Sequence, residues 1–140
     1  MAYDPDNIFA RIVRGEIPCH RVYEDADTLA FMDIMPQAEG HTLVIPKTAG
    51  EDIFSTSPEA AAAAMRTAQT VARAVQRVFA APGIMIAQLN GAAAGQSVFH
   101  LHIHVIPRYA GRDLGIHAAK PAEQSVLAGH AARLRAALQE

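Results

Sequence analysis

The chain has 140 residues, of which 51% are hydrophobic, so it can bury one core and we expect a single domain over residues 1–140. Its 12 Lys and Arg residues nearly balance 14 Asp and Glu residues, which argues against binding of polymeric nucleic acid. The only cysteine, Cys19, excludes an internal disulfide and a thiolate zinc cluster and fits a cytoplasmic protein. Because we find neither a basic leader nor an apolar run of about 20 residues, we expect no export signal and no membrane anchor.

The first part of the chain predicts a short helix followed by an antiparallel meander. Asn7 is suited to cap a helix that runs to about Arg14 and ends at Gly15. Strand-like runs follow, separated by segments rich in turn-forming residues. We expect these strands over residues 21–24, 28–33 and 42–46.

A long amphipathic helix is predicted next. Ser57 can cap it, Pro58 suits its first turn and Glu59 favours the positive end of its dipole, and the pattern continues to about Phe79. The apolar positions recur at helical spacing, so we expect this face to pack inward. The predicted stripe consists of Ala61, Ala64, Met65, Ala68, Val71, Ala72, Val75, Val78 and Phe79.

The remaining elements complete an α+β order. A strand is expected over 84–89, an Asn-Gly turn at 90–91, and a second strand over 99–106. A C-terminal helix over 123–138 is expected to bury Val126, Leu127, Ala131, Leu134 and Leu138. The chain thus predicts an antiparallel sheet with one long helix packed on it, a short N-terminal helix and a C-terminal helix.

Three histidines alternate with apolar residues in the last predicted strand. His100, His102 and His104 should share one face, because successive side chains of a strand point to opposite faces. A neutral imidazole is a good nucleophile toward phosphorus when its second nitrogen donates a proton to a fixed acceptor. We therefore expect the central ring, His102, to be the nucleophile, with its neighbours orienting it, binding phosphate oxygens or delivering a proton.

A loop of small residues precedes the histidines. The backbone N–H groups of residues 91–97 and the Ser97 hydroxyl can cradle a phosphate. The Lys and the following Ser or Thr of a Walker loop are missing. Chelation of a transition metal by the alternating histidines is a competing interpretation. Since no acidic residue near them in sequence would complete the coordination, we expect no metal site.

The segment His100–Ile106 resembles the signature of the histidine triad (HIT) family. The similarity extends to Gly95-Gln96-Ser97 before the histidines, to Pro107-Arg108 after them, and to residues 31–37 and 40–47 upstream. Residues 8–9 and 15–18 are similar to the bacterial Hint-like branch of the family. The resemblance covers a core of about residues 7–109 and leaves 110–140 as a variable C-terminal extension.

The resemblance implies a nucleotide phosphoramidase or nucleotidyl hydrolase that requires no cofactor. His102 would attack the α-phosphorus and form a covalent nucleotidyl-histidine, which water then hydrolyses to a nucleoside monophosphate. His104 and Ser97 would hold phosphoryl oxygens or assist the leaving group, and His41 would approach from the upstream strand. The related transferase branch has glutamine at the third histidine position, so His104 favours hydrolysis.

The resemblance also implies how a purine nucleotide is held. Asp33 would accept hydrogen bonds from the ribose hydroxyls, although it can also be a turn aspartate. Asn90 and Gln96 match positions near the phosphate and leaving group, but they can equally start a turn and shape the loop. An apolar base pocket, whose members can each be ordinary core residues, would comprise Ile8, Phe9, Ile12, Phe31 and Ile34.

The chain departs from the family pattern at a zinc site that many bacterial relatives carry. Asn7 and Ala10 stand at the cysteine positions, and Ala49 replaces a histidine. The zinc site is therefore expected to be lost, which leaves His100 free for a structural hydrogen bond. His20, His117 and His130 lie outside the motif and are expected to face solvent, while residues 111–117 match a variable tail that can approach the leaving group.

By the same resemblance we expect a homodimer, formed through the long alanine-rich helix and the strand over 84–89. The alternatives are a dinucleoside polyphosphate hydrolase, a purine-nucleotide-binding regulatory protein with vestigial turnover, and a metal-dependent enzyme. The sequence leaves open the natural leaving group, the choice between AMP and GMP as product, and the physiological partners.

Overall fold

Five strands form one antiparallel sheet in the computed structural model, which describes residues 3–111 and 121–139. Their order in the sheet is β1-β2-β3-β5-β4, so the first three form the expected meander and β5 inserts between β3 and β4. Their bounds are Arg21–Glu24 (β1), Thr28–Met32 (β2), Thr42–Pro46 (β3), Gly83–Gln88 (β4) and Ile103–Arg108 (β5). None of the helices among the described residues combines the length and the hydrophobicity that a membrane span requires.

Three α-helices accompany the sheet, as the sequence predicts. They are α1 (Ile8–Val13), α2 (Pro58–Val78) and α3 (Gln124–Leu138). The side chain of Asn7 accepts a hydrogen bond from the Ala10 N–H, and that of Ser57 accepts one from the Ala60 N–H. These caps satisfy N–H groups that have no partner inside the helix, and they set where α1 and α2 begin.

One face of the sheet packs against α2 and α3. Val44, Ile103 and Val105 from the sheet meet Val71 and Val75 of α2 in the main core. The inward residues of α3 join the same core, so this helix packs as part of the folded unit. These α3 residues are Leu127, Ala131 and Leu134.

Two expected helix stripes are shifted in the structure. Met65 is 50% exposed and Val126 is 44% exposed, although both were expected to face inward. Each lies about 100° around its helix from the buried neighbour beside it, Ala64 or Leu127, so it points away from the sheet. The buried face of α2 instead comprises Ala60, Ala63, Ala64, Thr67, Ala68, Val71, Ala74 and Val75.

The other face of the sheet is only partly covered. Phe9 of α1 packs there with Leu29, Phe31, Leu43 and Ile45. The six residues of α1 are too few to cover five strands, and the uncovered part of this face forms a cavity.

The histidine run is not one continuous strand. β5 begins at Ile103, so His100 and His102 precede it, and only His104 lies within the ladder, opposite Leu43 and Ala87. Pro46 on β3 has no N–H, and its carbonyl accepts a hydrogen bond from the His100 ring, so β3 and β5 cannot pair further. The alternation of faces nevertheless persists, with Leu101, Ile103 and Val105 in the main core.

The packing of α3 on the sheet can be tested by truncation. Leu134 is fully buried, so Leu134→Ala should lower the free energy of unfolding by about 2–5 kcal/mol. The exposed Val126 is the matched control, and Val126→Ala should change it by no more than about 0.5 kcal/mol. Urea denaturation of both variants measures the difference, and equal losses would contradict the placement of α3.

Candidate active site

A cavity of about 530 Å³ opens on the sheet face opposite α2 and α3. It collects polar side chains from four separate segments: Asp33 after β2, His41 before β3, Ser97 in the small-residue loop, and His102 and His104 around the start of β5. The predicted base pocket lines the same cavity with Ile8, Phe9, Ile12, Phe31 and Ile34. The fold therefore brings an apolar pocket and a cluster of histidines to one site.

The ring of His102 has a fixed tautomer. Its Nδ1 lies 2.8 Å from the main-chain carbonyl oxygen of His100. Because a carbonyl oxygen can only accept, we assign the proton to Nδ1, which leaves the Nε2 lone pair free. Phe9 packs edge-on against this ring, with 4.9 Å between centroids. A buried neutral imidazole with a free Nε2 is the form required of a nucleophile.

A second hydrogen-bonded chain fixes the protons of His41 and His104. The backbone N–H of Gln37 donates to His41 Nδ1 over 3.0 Å. The remaining proton of His41 is therefore on Nε2, which lies 3.0 Å from His104 Nδ1 and donates to it. His104 in turn keeps its proton on Nε2. The two cavity histidines of the triad thus differ, since His102 offers a lone pair and His104 offers a donor.

Burial keeps these rings uncharged near neutral pH. Desolvation, together with a smaller effect of the nearby histidine rings, lowers the pKa of His41 to about 3 and that of His104 to about 4. Desolvation also lowers the pKa of His102, opposed in part by its hydrogen bond to the His100 carbonyl. Near pH 7 the assigned proton positions therefore describe the dominant form.

Asp33 lies at the edge of the cavity beside His41. One carboxylate oxygen accepts the backbone N–H of Met35 over 2.8 Å, and the other lies 3.4 Å from His41 Nε2. Burial raises the pKa of this carboxyl, opposed by the Met35 hydrogen bond. The side chain is 17% exposed, so hydroxyl donors of a ligand can still reach it. Asp33 combines the turn role with an accessible acceptor.

The cluster of Asp33, His41 and His104 places three possible metal-ligand atoms within 4.8 Å of one another. Coordination at His41 Nε2 would require its proton to move to Nδ1. That proton would then face the N–H of Gln37, which already donates to Nδ1. Two donors would oppose each other in a buried position, so this set of residues does not fit a metal ion.

The zinc site of bacterial relatives also lacks suitable residues here. Asn7 caps α1, Ala10 is buried and Ala49 is exposed. His100 uses both ring nitrogens within the protein, Nε2 with the Pro46 carbonyl over 2.7 Å and Nδ1 with the Tyr3 hydroxyl over 2.7 Å. No thiolate, imidazole or carboxylate replaces the missing ligands at positions 7, 10 and 49, so these positions do not fit zinc.

Three predicted site residues lie outside the cavity lining. His100 is 1% exposed with both nitrogens bonded, which supports its structural role over a catalytic one. Gln96 accepts from the Gly91 N–H and donates to the Glu51 and Val98 carbonyls, so the structure favours the loop-shaping alternative.

Asn90 is similarly engaged. Its side-chain oxygen accepts from the Ile53 N–H and the Gln88 amide, and its nitrogen donates to the Gln88 oxygen. These contacts tie the loop after β3 to the end of β4. A contact with the leaving group would require this network to open.

Sequence reasoning missed several residues of the site. Leu43 and Ile106 line the cavity two positions after His41 and His104, so the two-residue period of a strand could have found them. The N–H of Gln37 is a backbone group and leaves no signature in the sequence. Tyr3 contacts His100 from a segment far away in the chain, and no motif marks it.

His20 and His130 lie apart from the cavity. His20 contacts the Gln124 side chain, and His130 packs edge-on against Phe79. Of residues 111–117, which the sequence analysis matched to a variable tail, the structure describes only Gly111, so His117 lies outside the described residues.

Comparison with known proteins identifies the class. Residues 14–111 match the family model described as the HIT domain, and the chain belongs to this family. The Bacillus subtilis protein named Protein hit is 45% identical over 106 residues, which are 76% of this chain and 73% of that protein. A crystal structure of a Hit-like protein involved in cell-cycle regulation from Bartonella henselae is 46% identical, with a TM-score of 0.91 over 97% of this chain and 99% of that one.

One similar protein has a name that states an activity. The Arabidopsis thaliana protein named adenylylsulfatase HINT3 is 39% identical over 103 residues, which are 74% of this chain and 52% of that protein.

Burial of neutral histidines should make stability depend on pH. Unfolded histidines have a pKa of about 6.5, so between about pH 6.5 and 4 the unfolded state binds more protons than the folded state. The free energy of unfolding should therefore fall as the pH is lowered through this window. Urea denaturation at a series of pH values should show a shallower fall for His104→Gln, whereas the control His20→Gln should follow the wild type. A slope unchanged in His104→Gln would contradict the pKa of about 4.

Proposed function

We propose that this protein hydrolyses a nucleoside 5′-phosphoramidate, or a related nucleotidyl compound, to a nucleoside monophosphate through a covalent nucleotidyl-His102. The observation that carries this proposal is the pair of opposite tautomers in one cavity, a free Nε2 lone pair on His102 beside an Nε2–H on His104. The name of the Arabidopsis relative supports a substrate with an adenylyl group. We place the activity in the cytoplasm, where a lone cysteine stays reduced.

In the first step, His102 Nε2 attacks the α-phosphorus. The Nε2–P bond forms and the P–N bond to the leaving amine breaks, with its electron pair remaining on the amine, which takes up a proton from solvent. The Nε2–H of His104 donates to a phosphoryl oxygen as negative charge develops there. The positive charge on the His102 ring is stabilised by the Nδ1–H bond to the His100 carbonyl.

In the second step, water attacks the same phosphorus. A P–O bond forms, the Nε2–P bond breaks, its electron pair returns to Nε2, and the water releases a proton to solvent. The attached ring is a good leaving group because it carries a positive charge. Both steps depend on positioning and hydrogen bonding by protein groups, with no metal required.

The cavity walls suit the nucleoside part of the substrate. Phe9 and Phe31 meet edge to face, with 5.5 Å between ring centroids, and offer apolar surface for a purine. Asp33 would accept the ribose hydroxyls, and Ser97 with the adjoining backbone would contact the phosphate. AMP or GMP would be the product.

A dinucleoside polyphosphate hydrolase is the second candidate, since it would use His102 in the same way. Separate assays with adenosine phosphoramidate and a diadenosine polyphosphate, with products identified by chromatography, distinguish the two. A regulatory protein that binds purine nucleotide with vestigial turnover would bind both compounds but hydrolyse each of them only very slowly.

Substitution of the nucleophile tests the proposed reaction. His102→Ala should lower kcat for adenosine phosphoramidate by about 10³-fold or more, because the covalent route is then closed. AMP binding, measured by calorimetry, should persist because the base pocket and Asp33 are intact.

The control for this variant is His20→Ala, which removes a histidine outside the cavity and should keep the wild-type rate. EDTA should leave wild-type activity unchanged. Undiminished cleavage by His102→Ala would refute the mechanism, and loss of activity in EDTA with recovery on adding metal would favour the metal-dependent alternative.

We also propose that two copies of the chain associate through α2 and β4. Among the described strands, β4 pairs only with β5, so one edge of the sheet remains open. Ile86 is 41% exposed on this strand and, with the outward Met65, lines an apolar groove between β4 and α2. The exposed Met65 of the α2 stripe therefore lies beside the open edge strand β4, and a second copy of the chain can cover both.

A charge placed in this groove should break the dimer. Ile86→Glu should shift the mass measured by light scattering from two chains to one, because association would have to strip water from a carboxylate in the middle of the interface. Val126→Glu places the same charge at a comparably exposed apolar position on α3 and should leave the mass at two chains. An Ile86→Glu protein of unchanged dimeric mass would exclude this interface.

A further inference from the structure

His102, the proposed nucleophile, lies just before β5 and is not part of the strand pairing. Because β5 begins at Ile103, hydrogen bonds between strands do not hold His100 or His102. The segment is instead fixed by single contacts. The Leu101 N–H donates to the Gly50 carbonyl over 2.9 Å, and the His100 ring bridges the Pro46 carbonyl and the Tyr3 hydroxyl.

The protonation of His100 defines what Tyr3 does. Nε2 of His100 faces the Pro46 carbonyl, which can only accept, so Nε2 bears the proton and Nδ1 is an acceptor. The Tyr3 hydroxyl lies 2.7 Å from Nδ1 and is its donor. Because His100 is 1% exposed, water cannot replace this donor without a movement of the segment.

We propose that Tyr3 is a positioning residue for the nucleophile His102. Tyr3 holds His100 in place, and the carbonyl of His100 then keeps the proton of His102 on Nδ1. The hydroxyl fixes one side of the His100 ring, the Pro46 carbonyl fixes the other, and the His100 main chain carries the acceptor for His102. The kinetic consequence rests on the proposed function, whereas the consequence for the tautomer does not.

The N-terminal arm is held well enough to perform this role. The Asp4 carbonyl accepts from the backbone and the side chain of Asn7, so the arm turns directly into the cap of α1. Arg14 at the end of α1 donates to the Pro5 carbonyl and pairs with Asp6. Tyr3 thus projects from an anchored turn.

Tyr3 also lies outside residues 14–111, which match the HIT domain model. The contact couples the arm that precedes the family domain to the reactive ring. It occupies the nitrogen of His100 that would otherwise be open to a ligand, in a chain whose residues 7, 10 and 49 do not fit zinc.

The test compares Tyr3→Phe with Tyr23→Phe in the full chain labelled with ¹⁵N-histidine. The control removes a tyrosine hydroxyl that donates to Asp25, away from the cavity. In the wild type and the control, the ring nitrogens of His102 should show a single Nδ1–H tautomer by NMR. In Tyr3→Phe a second, Nε2–H tautomer should appear, because the His100 carbonyl is no longer held in place.

Kinetics with adenosine phosphoramidate provide the second measurement. Tyr3→Phe should lower kcat by about tenfold, the scale of a lost hydrogen bond to a buried group, while KM stays within about twofold. Tyr23→Phe should match the wild type in both. Thermal unfolding of both variants shows whether any lost activity merely follows lost stability.

The outcomes test the positioning role of Tyr3 separately from the proposed hydrolysis. A single Nδ1–H tautomer and wild-type kcat in Tyr3→Phe would overturn the positioning role, even if the melting temperature fell. A mixed tautomer with a wild-type kcat would overturn its importance for the reaction. A mixed tautomer in Tyr3→Phe, together with a wild-type protein that does not cleave the phosphoramidate, would support the positioning role and reject the proposed function.

Discussion

The hydrogen bond from His102 Nδ1 to the main-chain carbonyl of His100 is the interaction on which the site depends. It is 2.8 Å long and determines which nitrogen of the ring keeps its lone pair. In many enzymes a carboxylate orients a catalytic histidine, whereas His102 is oriented by a peptide group. A carbonyl adds no negative charge to the buried site, so the ring is oriented without a strong pull toward its protonated form.

The other two histidines of the cavity, His41 and His104, are also uncharged near neutral pH. His41 and His104 belong to one chain of hydrogen bonds that begins at the N–H of Gln37, and burial holds the pKa of both well below its usual range. The negatively charged phosphate of a nucleotide would therefore meet neutral donors rather than cations. Such donors can stabilise developing charge because they are already oriented before the substrate arrives.

Much of this fold follows from local patterns in the sequence. The caps Asn7 and Ser57 and the period of α2 predict the helices closely, and the alternation of His102, Ile103 and His104 predicts which side chains face the cavity. Local patterns fail where a distant group decides the outcome. The strand over 99–106 is shortened because Pro46, far away in sequence, cannot continue the ladder.

The site shows the same division between local and distant causes. The cavity residues could be predicted from the alternation and from the family resemblance. The side-chain amides of Gln96 and Asn90 instead bond to loop backbone groups, and these contacts depend on the folded loops rather than on a local sequence pattern. Tyr3 illustrates this limit, since its contact with His100 spans 97 positions. The roles of the cavity residues in catalysis remain predictions.

The account is tested most directly by mass spectrometry of the protein quenched during turnover of adenosine phosphoramidate, with digestion above neutral pH to preserve a phosphorus–nitrogen bond. Fragmentation of the peptide that contains residues 100–104 should locate one adenylyl group on His102. An adenylyl group on His104 or His41, with none on His102, would contradict the assignment of the free lone pair to His102.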